Sequence, residues 1–150
     1  MRIFEDLDAF RAADGERLGA GDWFQITQAR IDAFADVTED WQWIHVDSAK
    51  AARGPYGATI AHGYLTLSLI PRLGGGIFRV EGLSMAINYG VNKVRFPQPV
   101  RAGARIRAVA DLVSVVDIAV GTQGVIRYTI EIDGEDKPAC VAETVRVMMR

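Results

Sequence analysis

Cysteine is nearly absent. Cys140 is the only one in 150 residues, so no intramolecular disulfide can form and a cysteine-built zinc site is excluded. That usage suits a reducing compartment. No charge dominates either, since 17 Lys and Arg stand against 19 Asp and Glu for a formal net charge of −2. The cations are scattered along the chain, which argues against a nucleic-acid partner. No window approaches the ~20 uncharged apolar residues of a membrane span, and MRIFEDLDAF carries acids where a signal peptide needs a basic end and an apolar run. A cytoplasmic protein without a membrane partner is expected. Repeats, low-complexity tracts and linkers are also missing, so residues 1–150 are read as one domain, of a size that buries roughly two-thirds of its unfolded surface.

What is present divides near residue 80. Before it the apolar spacing is helical. FEDLDAFRAA, residues 4–13, places Phe4, Leu7 and Phe10 three apart and predicts a short helix ended by Gly15. GAGDWFQI reads as a short strand. Thr27 can cap a helix over 28–38 with Ile31, Phe34, Ala35 and Val37 on one face, and Asp47 or Ser48 a brief helix stopped by Gly54-Pro55. HGYLTLSLIPRLGGG is apolar almost all round, which marks a buried helix closed by Gly74, Gly75 and Gly76. Beyond residue 80 the period becomes two. AINYGVNKVRFPQPV, ARIRAVADLVSVVD, GVIRYTIEID and ACVAETVRVMMR are four long strand candidates, and the short turns between them favour antiparallel neighbours. The simplest architecture that uses every element is α+β, a sheet of about five antiparallel strands wrapped around one central buried helix.

Only two histidines occur, His45 and His62, and the first sits in Asp40-Trp-Gln-Trp-Ile-His45-Val-Asp47. A five-residue offset leaves Asp40 and His45 about 140° apart on a helix and on opposite faces of a strand, so only a turn brings them together. There a carboxylate orients an imidazole while the apolar walls of Trp41, Trp43 and Ile44 limit screening, a combination suited to proton transfer. Taken singly, Asp47 is most economically an N-cap and His45 a hydrogen-bonded core histidine. A metal site is not expected, because His45-Val-Asp47 offers two ligands and a third would have to come from far away, such as His62. In Thr59-Ile-Ala-His62-Gly63-Tyr-Leu-Thr66-Leu-Ser68, a helix opening at Gly63 would leave its N–H without an intrahelical acceptor, free to donate to a developing oxyanion. The plain alternative is a tight start to a helix.

Together these segments resemble the MaoC-like dehydratases, the (R)-specific enoyl-CoA hydratase or hydratase 2 family, in its nodulation-protein-N-like branch. The family's Asp-x-Asn-Pro-apolar-His-x-Asp corresponds to residues 40–47, its glycine-led buried helix to TIAHGYLTLSLIP, and its Phe-Pro-x-Pro-Val turn to the end of AINYGVNKVRFPQPV. Gln42-Trp43 replaces Asn-Pro, and Glu39 stands where the family generally has glycine.

The resemblance implies the hot-dog fold, a homodimer, and an enzyme that adds water reversibly to trans-2-enoyl-CoA to give (3R)-3-hydroxyacyl-CoA. It makes Asp40 and His45 the catalytic pair and Gly63 the oxyanion donor, with no cofactor, coenzyme A being part of the acyl-CoA thioester substrate. Substrate binding falls to Gln42, Trp43, His62, Tyr64 and Ser68, with Trp41, Trp43, Tyr64 and Leu65 lining an acyl slot. Lys93 and Arg95, with Arg101, would meet the phosphates of CoA. A thioesterase of the same fold and a non-catalytic acyl-thioester-binding module are the alternatives.

Overall fold

A computed structural model describes residues 1–150. Four long strands dominate it: β5 (Met85–Arg95), β6 (Arg105–Ile118), β7 (Gly121–Ile132) and β8 (Cys140–Met149). Val, Ile and Thr at period two produce them as expected. All their pairings are antiparallel. The spatial order is not sequential, however. β2 (Arg17–Ala20) and β3 (Phe24–Gln25) both pair with β6, and the sheet runs β2-β6-β7-β8-β5. β5 therefore lies at the far edge beside β8 rather than beside its sequence neighbour β6. The segment from Phe96 to Ala104 is long enough to carry the chain across, and it makes a bridge between Arg101 and Ile60 on the way.

A second, two-stranded sheet pairs β1 (Arg2–Phe4) with β4 (Phe78–Val80) in parallel. The helix expected over 4–13 is thus shorter. It is α1 (Leu7–Ala12), capped by Asp6, whose side chain accepts from the Ala9 N–H. Phe4 instead packs edge-on against Phe10, 5.2 Å between ring centroids.

Thr27 caps α2 (Gln28–Thr38) through a bond from the Arg30 N–H. Ile31 and Ala35 are buried, but Val37 is 79 % exposed, so the core face is narrower than the spacing implied. α3 (Trp43–Val46) and α4 (Ser48–Ala51) follow, the latter capped by the Asp47 carboxylate at 2.9 Å from the Lys50 N–H.

The expected continuous central helix is two pieces, α5 (Gly63–Ser68) and α6 (Ile70–Gly74). Pro71 stands at the start of the second, and its missing N–H and ring crowd the preceding turn, so the break falls at Leu69. Nor is the helix wrapped on every side, since Tyr64 and Arg72 face solvent. Its inner residues Leu65, Leu69, Ile70 and Leu73 join Ile106, Ala108, Ile126, Tyr128 and Ile130 of the sheet in one contiguous hydrophobic cluster. α6 packs on β6 and α5 on β8. At the end of α6, Gly74 lies so close to Tyr128 that a Cβ would be 2.8 Å from its ring. No helix is long and apolar enough to cross a membrane.

Candidate active site

Asp40 and His45 meet because of two backbone features. Glu39, the C-cap of α2, adopts the left-handed conformation with φ 58°, the only non-glycine residue with positive φ. That is the conformation glycine takes most readily, and Glu39 holds it while its N–H bonds the Ala35 carbonyl. The chain then reverses, and α3 gives one helical turn. Positions 43 and 45 differ by about 200° on that turn. His45 accordingly points inward, 7 % exposed, while Trp43 turns outward onto the 47–54 segment, with Lys50 Nζ 4.7 Å from its ring centroid.

His45 Nδ1 lies 2.7 Å from the Ile60 carbonyl oxygen. A carbonyl only accepts, so Nδ1 carries the proton and Nε2 is an unprotonated lone pair. Burial is the main influence lowering the His45 pKa below the ordinary histidine value and His62 adds to it, while the Ile60 carbonyl and the Asp40 carboxylate oppose it.

His62 stacks on His45, 3.7 Å between centroids and 23° between planes, with Phe34 tilted against it at 5.1 Å. Its Nε2 is 3.0 Å from the Asp40 carbonyl and 3.9 Å from the Asp40 carboxylate. Nε2 therefore holds the proton, and Nδ1 is a buried acceptor without a partner, a situation that costs on the order of 1–3 kcal/mol.

Donor atoms of Asp40, His45 and His62 lie within 4.8 Å of one another. Two imidazoles stacked nearly parallel cannot direct their in-plane lone pairs at one point ~2.0–2.1 Å from both nitrogens. The stacked geometry of the trio does not suit a ligand set.

A pocket of about 250 Å³ opens beside His45 and Gly63, walled by Tyr56, Ile60, Thr66, Phe96, Pro99 and Val100 among others. No turn, loop or cap carbonyl takes the Gly63 N–H. Phe96 covers this glycine closely, and a Cβ there would be 3.0 Å from its ring.

His45 and Gly63 share one pocket wall, while Asp40 is not part of that wall and sets its half-exposed carboxylate beside the two histidine rings. The substrate-binding expectations divide. His62 is 3 % exposed and lies behind His45, outside the pocket wall. Ser68 lies five residues beyond Gly63, about 140° around the helix. It faces a separate groove of about 350 Å³ between α5, α6 and β5. Gln42 and Trp43 stay outside the pocket, Gln42 contributing its carbonyl to the His45 N–H. Tyr64 is 71 % exposed and touches the pocket only through an edge-to-face contact with Phe96 at 6.1 Å. The acyl walls expected at Trp41 and Leu65 are elsewhere: Trp41 Nε1 donates to Asp36, and Leu65 is core. Lys93 and Arg95 are exposed on β5 and form no ion pair with a carboxylate. Arg101 donates to the carbonyl of the pocket residue Tyr56.

Sequence reasoning missed the brace behind the site. Gln28 Nε2 donates to the His45 carbonyl at 2.8 Å, and its Oε1 accepts from the buried Thr59 hydroxyl. No local pattern marks that pair, which is 31 residues apart in sequence. The pocket role of Phe96 was missed as well, although the residue stands in the FPQPV block that marks the turn.

A histidine with a free lone pair, sharing a pocket with the first amide of a helix laid on an antiparallel sheet, fits a hydro-lyase of the hot-dog fold. The chain belongs to the MaoC-like dehydratase family. Residues 9–134 match the family described as MaoC like domain. The chain is 53 % identical over 146 residues to 3-hydroxyacyl-thioester dehydratase Z of Mycobacterium tuberculosis, covering 97 % of each. It is 38 % identical to nodulation protein N of Rhizobium leguminosarum bv. viciae, over 89 % of this chain and 85 % of that one. Among solved structures, the (R)-hydratase from A. caviae involved in PHA biosynthesis superposes with a TM-score of 0.73 at 25 % identity, covering 89 % of this chain and 95 % of that one.

Proposed function

We propose that the protein interconverts trans-2-enoyl-CoA and (3R)-3-hydroxyacyl-CoA by adding and removing water. The observation that carries this reading is the His45 Nε2 lone pair, fixed by the Nδ1 bond to Ile60 at 2.7 Å and set beside the pocket that Gly63 lines. Water is a poor nucleophile, and its attack on the β-carbon builds negative charge on the thioester oxygen. The Gly63 N–H donates to that oxygen as the charge develops. His45 Nε2 takes the proton of the attacking water as its oxygen bonds to the β-carbon. The Asp40 carboxylate orients the water and relays the proton from the imidazolium to the α-carbon. Water is consumed whole and both side chains return to their starting states, so the reaction draws on no cofactor. Lys93 and Arg95, free of carboxylate partners, meet the phosphates of CoA. The names of the relatives, a 3-hydroxyacyl-thioester dehydratase and an (R)-hydratase, support the same substrate class.

The working unit is a homodimer. β5 is an edge strand with Met85, Ile87, Tyr89 and Val91 exposed at 48, 41, 74 and 50 %. A long apolar edge of this kind invites pairing. A second copy laid antiparallel along it through a two-fold axis continues the sheet and covers those side chains.

Incubation with crotonyl-CoA tests the function. Loss of enoyl absorbance with formation of the (3R) alcohol supports hydration, release of free thiol supports a thioesterase, and binding without turnover supports a non-catalytic module.

A further inference from the structure

We propose that His62 is a positioning residue, which holds the acid and the base of the site in one rigid unit without touching substrate; its catalytic consequence rests on the hydratase reading above.

His62 occupies the N-cap position of α5, where Ser, Thr, Asp or Asn would satisfy a helix amide, yet its side chain makes no capping bond. It is 3 % exposed and absent from the pocket wall. Neither capping nor ligand contact therefore accounts for an imidazole there. A phenyl ring would fill the same space without leaving a buried nitrogen unpartnered, as His62 Nδ1 is.

What the imidazole supplies is a donor and a flat face in one ring. Nε2–H reaches the Asp40 carbonyl at 3.0 Å, on the residue that follows the left-handed turn at Glu39. Without this bond, the Asp40 backbone is fixed only by its N–H to Ala35. The face of the same ring lies 3.7 Å from His45 and sets the plane in which Nε2 of the base points. Phe34 packs against the ring from α2, 5.1 Å between centroids. One side chain thus couples the acid, located between α2 and α3, to the base on α3. Both are registered against Gly63, the residue bonded to His62 itself.

The test combines NMR with kinetics on the full chain. His45 and His62 are the only histidines, so long-range proton–nitrogen spectra assign both rings without ambiguity. His62 should show the Nε2–H form and His45 the Nδ1–H form. A His62 spectrum with Nδ1 protonated would overturn the proposal, whether or not any enoyl thioester is turned over. For kinetics, His62→Gln places an amide N–H near the Nε2 position, whereas His62→Asn falls short and His62→Phe keeps a ring without the donor. A misplacement of reacting groups by an ångström costs roughly 10²-fold, so the Asn and Phe variants should lose about that much kcat with KM within about threefold of wild type. The Gln variant should recover at least about tenfold of the loss. Equal kcat in the Phe variant and wild type, or a Gln variant no better than Asn, would refute the role. The wild-type spectrum stands even where a variant fails to fold, and a wild type inactive on every enoyl thioester counts against the hydratase reading alone.

Discussion

His45 Nδ1 bonds the Ile60 carbonyl at 2.7 Å, which leaves Nε2 without a proton. Buried as it is, the ring resists a second proton more than an exposed histidine does. Two pH effects follow with the same sign. The base works unprotonated, so kcat/KM for hydration should hold steady above about pH 6.5 and fall only at lower pH, with its acid limb displaced below the ordinary histidine value. The unfolded chain binds a proton that folded His45 excludes, so His45 should cost no stability above about pH 6.5 and should destabilise the fold as pH drops below it. A pH–rate profile together with denaturant titrations of wild type and His45→Gln checks both.

Gly63→Ala retains the amide but adds a Cβ 3.0 Å from the Phe96 ring. Turnover should drop, and Phe96→Leu in the same chain should restore much of it, because the loss is steric. Measured kcat for the two single variants and the double gives the coupling directly. A double variant as slow as Gly63→Ala would show that the amide itself has been displaced.

Thr59→Val should leave the Gln28 acceptor unsatisfied behind His45 and destabilise the protein by about 1–3 kcal/mol. Urea denaturation measures this. The same variant should lower kcat more than it raises KM, since Gln28 also holds the His45 carbonyl.

Much of this architecture could be read before any coordinates. Alternation from residue 105 onward marks β6 to β8, because each of these strands buries one face and the pattern is local, whereas β5 was legible from its composition alone and lies exposed along nearly its whole length. Thr27 and Asp47 announce their helices for the same reason. What escaped depends on contacts distant in sequence. Nothing in AINYGVNKVR says that β8, some 50 residues later, is its neighbour instead of β6. Pro71 was visible near the end of the buried helix, but it splits that helix at Leu69 and a second short helix continues to Gly74. In the site, Asp40, His45 and Gly63 stand in recognisable motifs. His62 is expected among the substrate-binding residues, whereas its ring lies buried with Nε2 against the Asp40 carbonyl.

The exposed β5 edge gives a separate prediction. Sedimentation should show a dimer, and Tyr89→Asp with Val91→Lys should shift it toward monomer while far-UV circular dichroism stays unchanged. A wild-type monomer at micromolar concentration would contradict the assembly.

The most direct test of the whole account is the hydration rate of crotonyl-CoA by wild type, Asp40→Asn and His45→Gln, each verified as folded by circular dichroism. Each substitution should lower kcat by about 10²–10⁴-fold, the usual worth of a positioned acid or base. Near-wild-type hydration by both variants would contradict it.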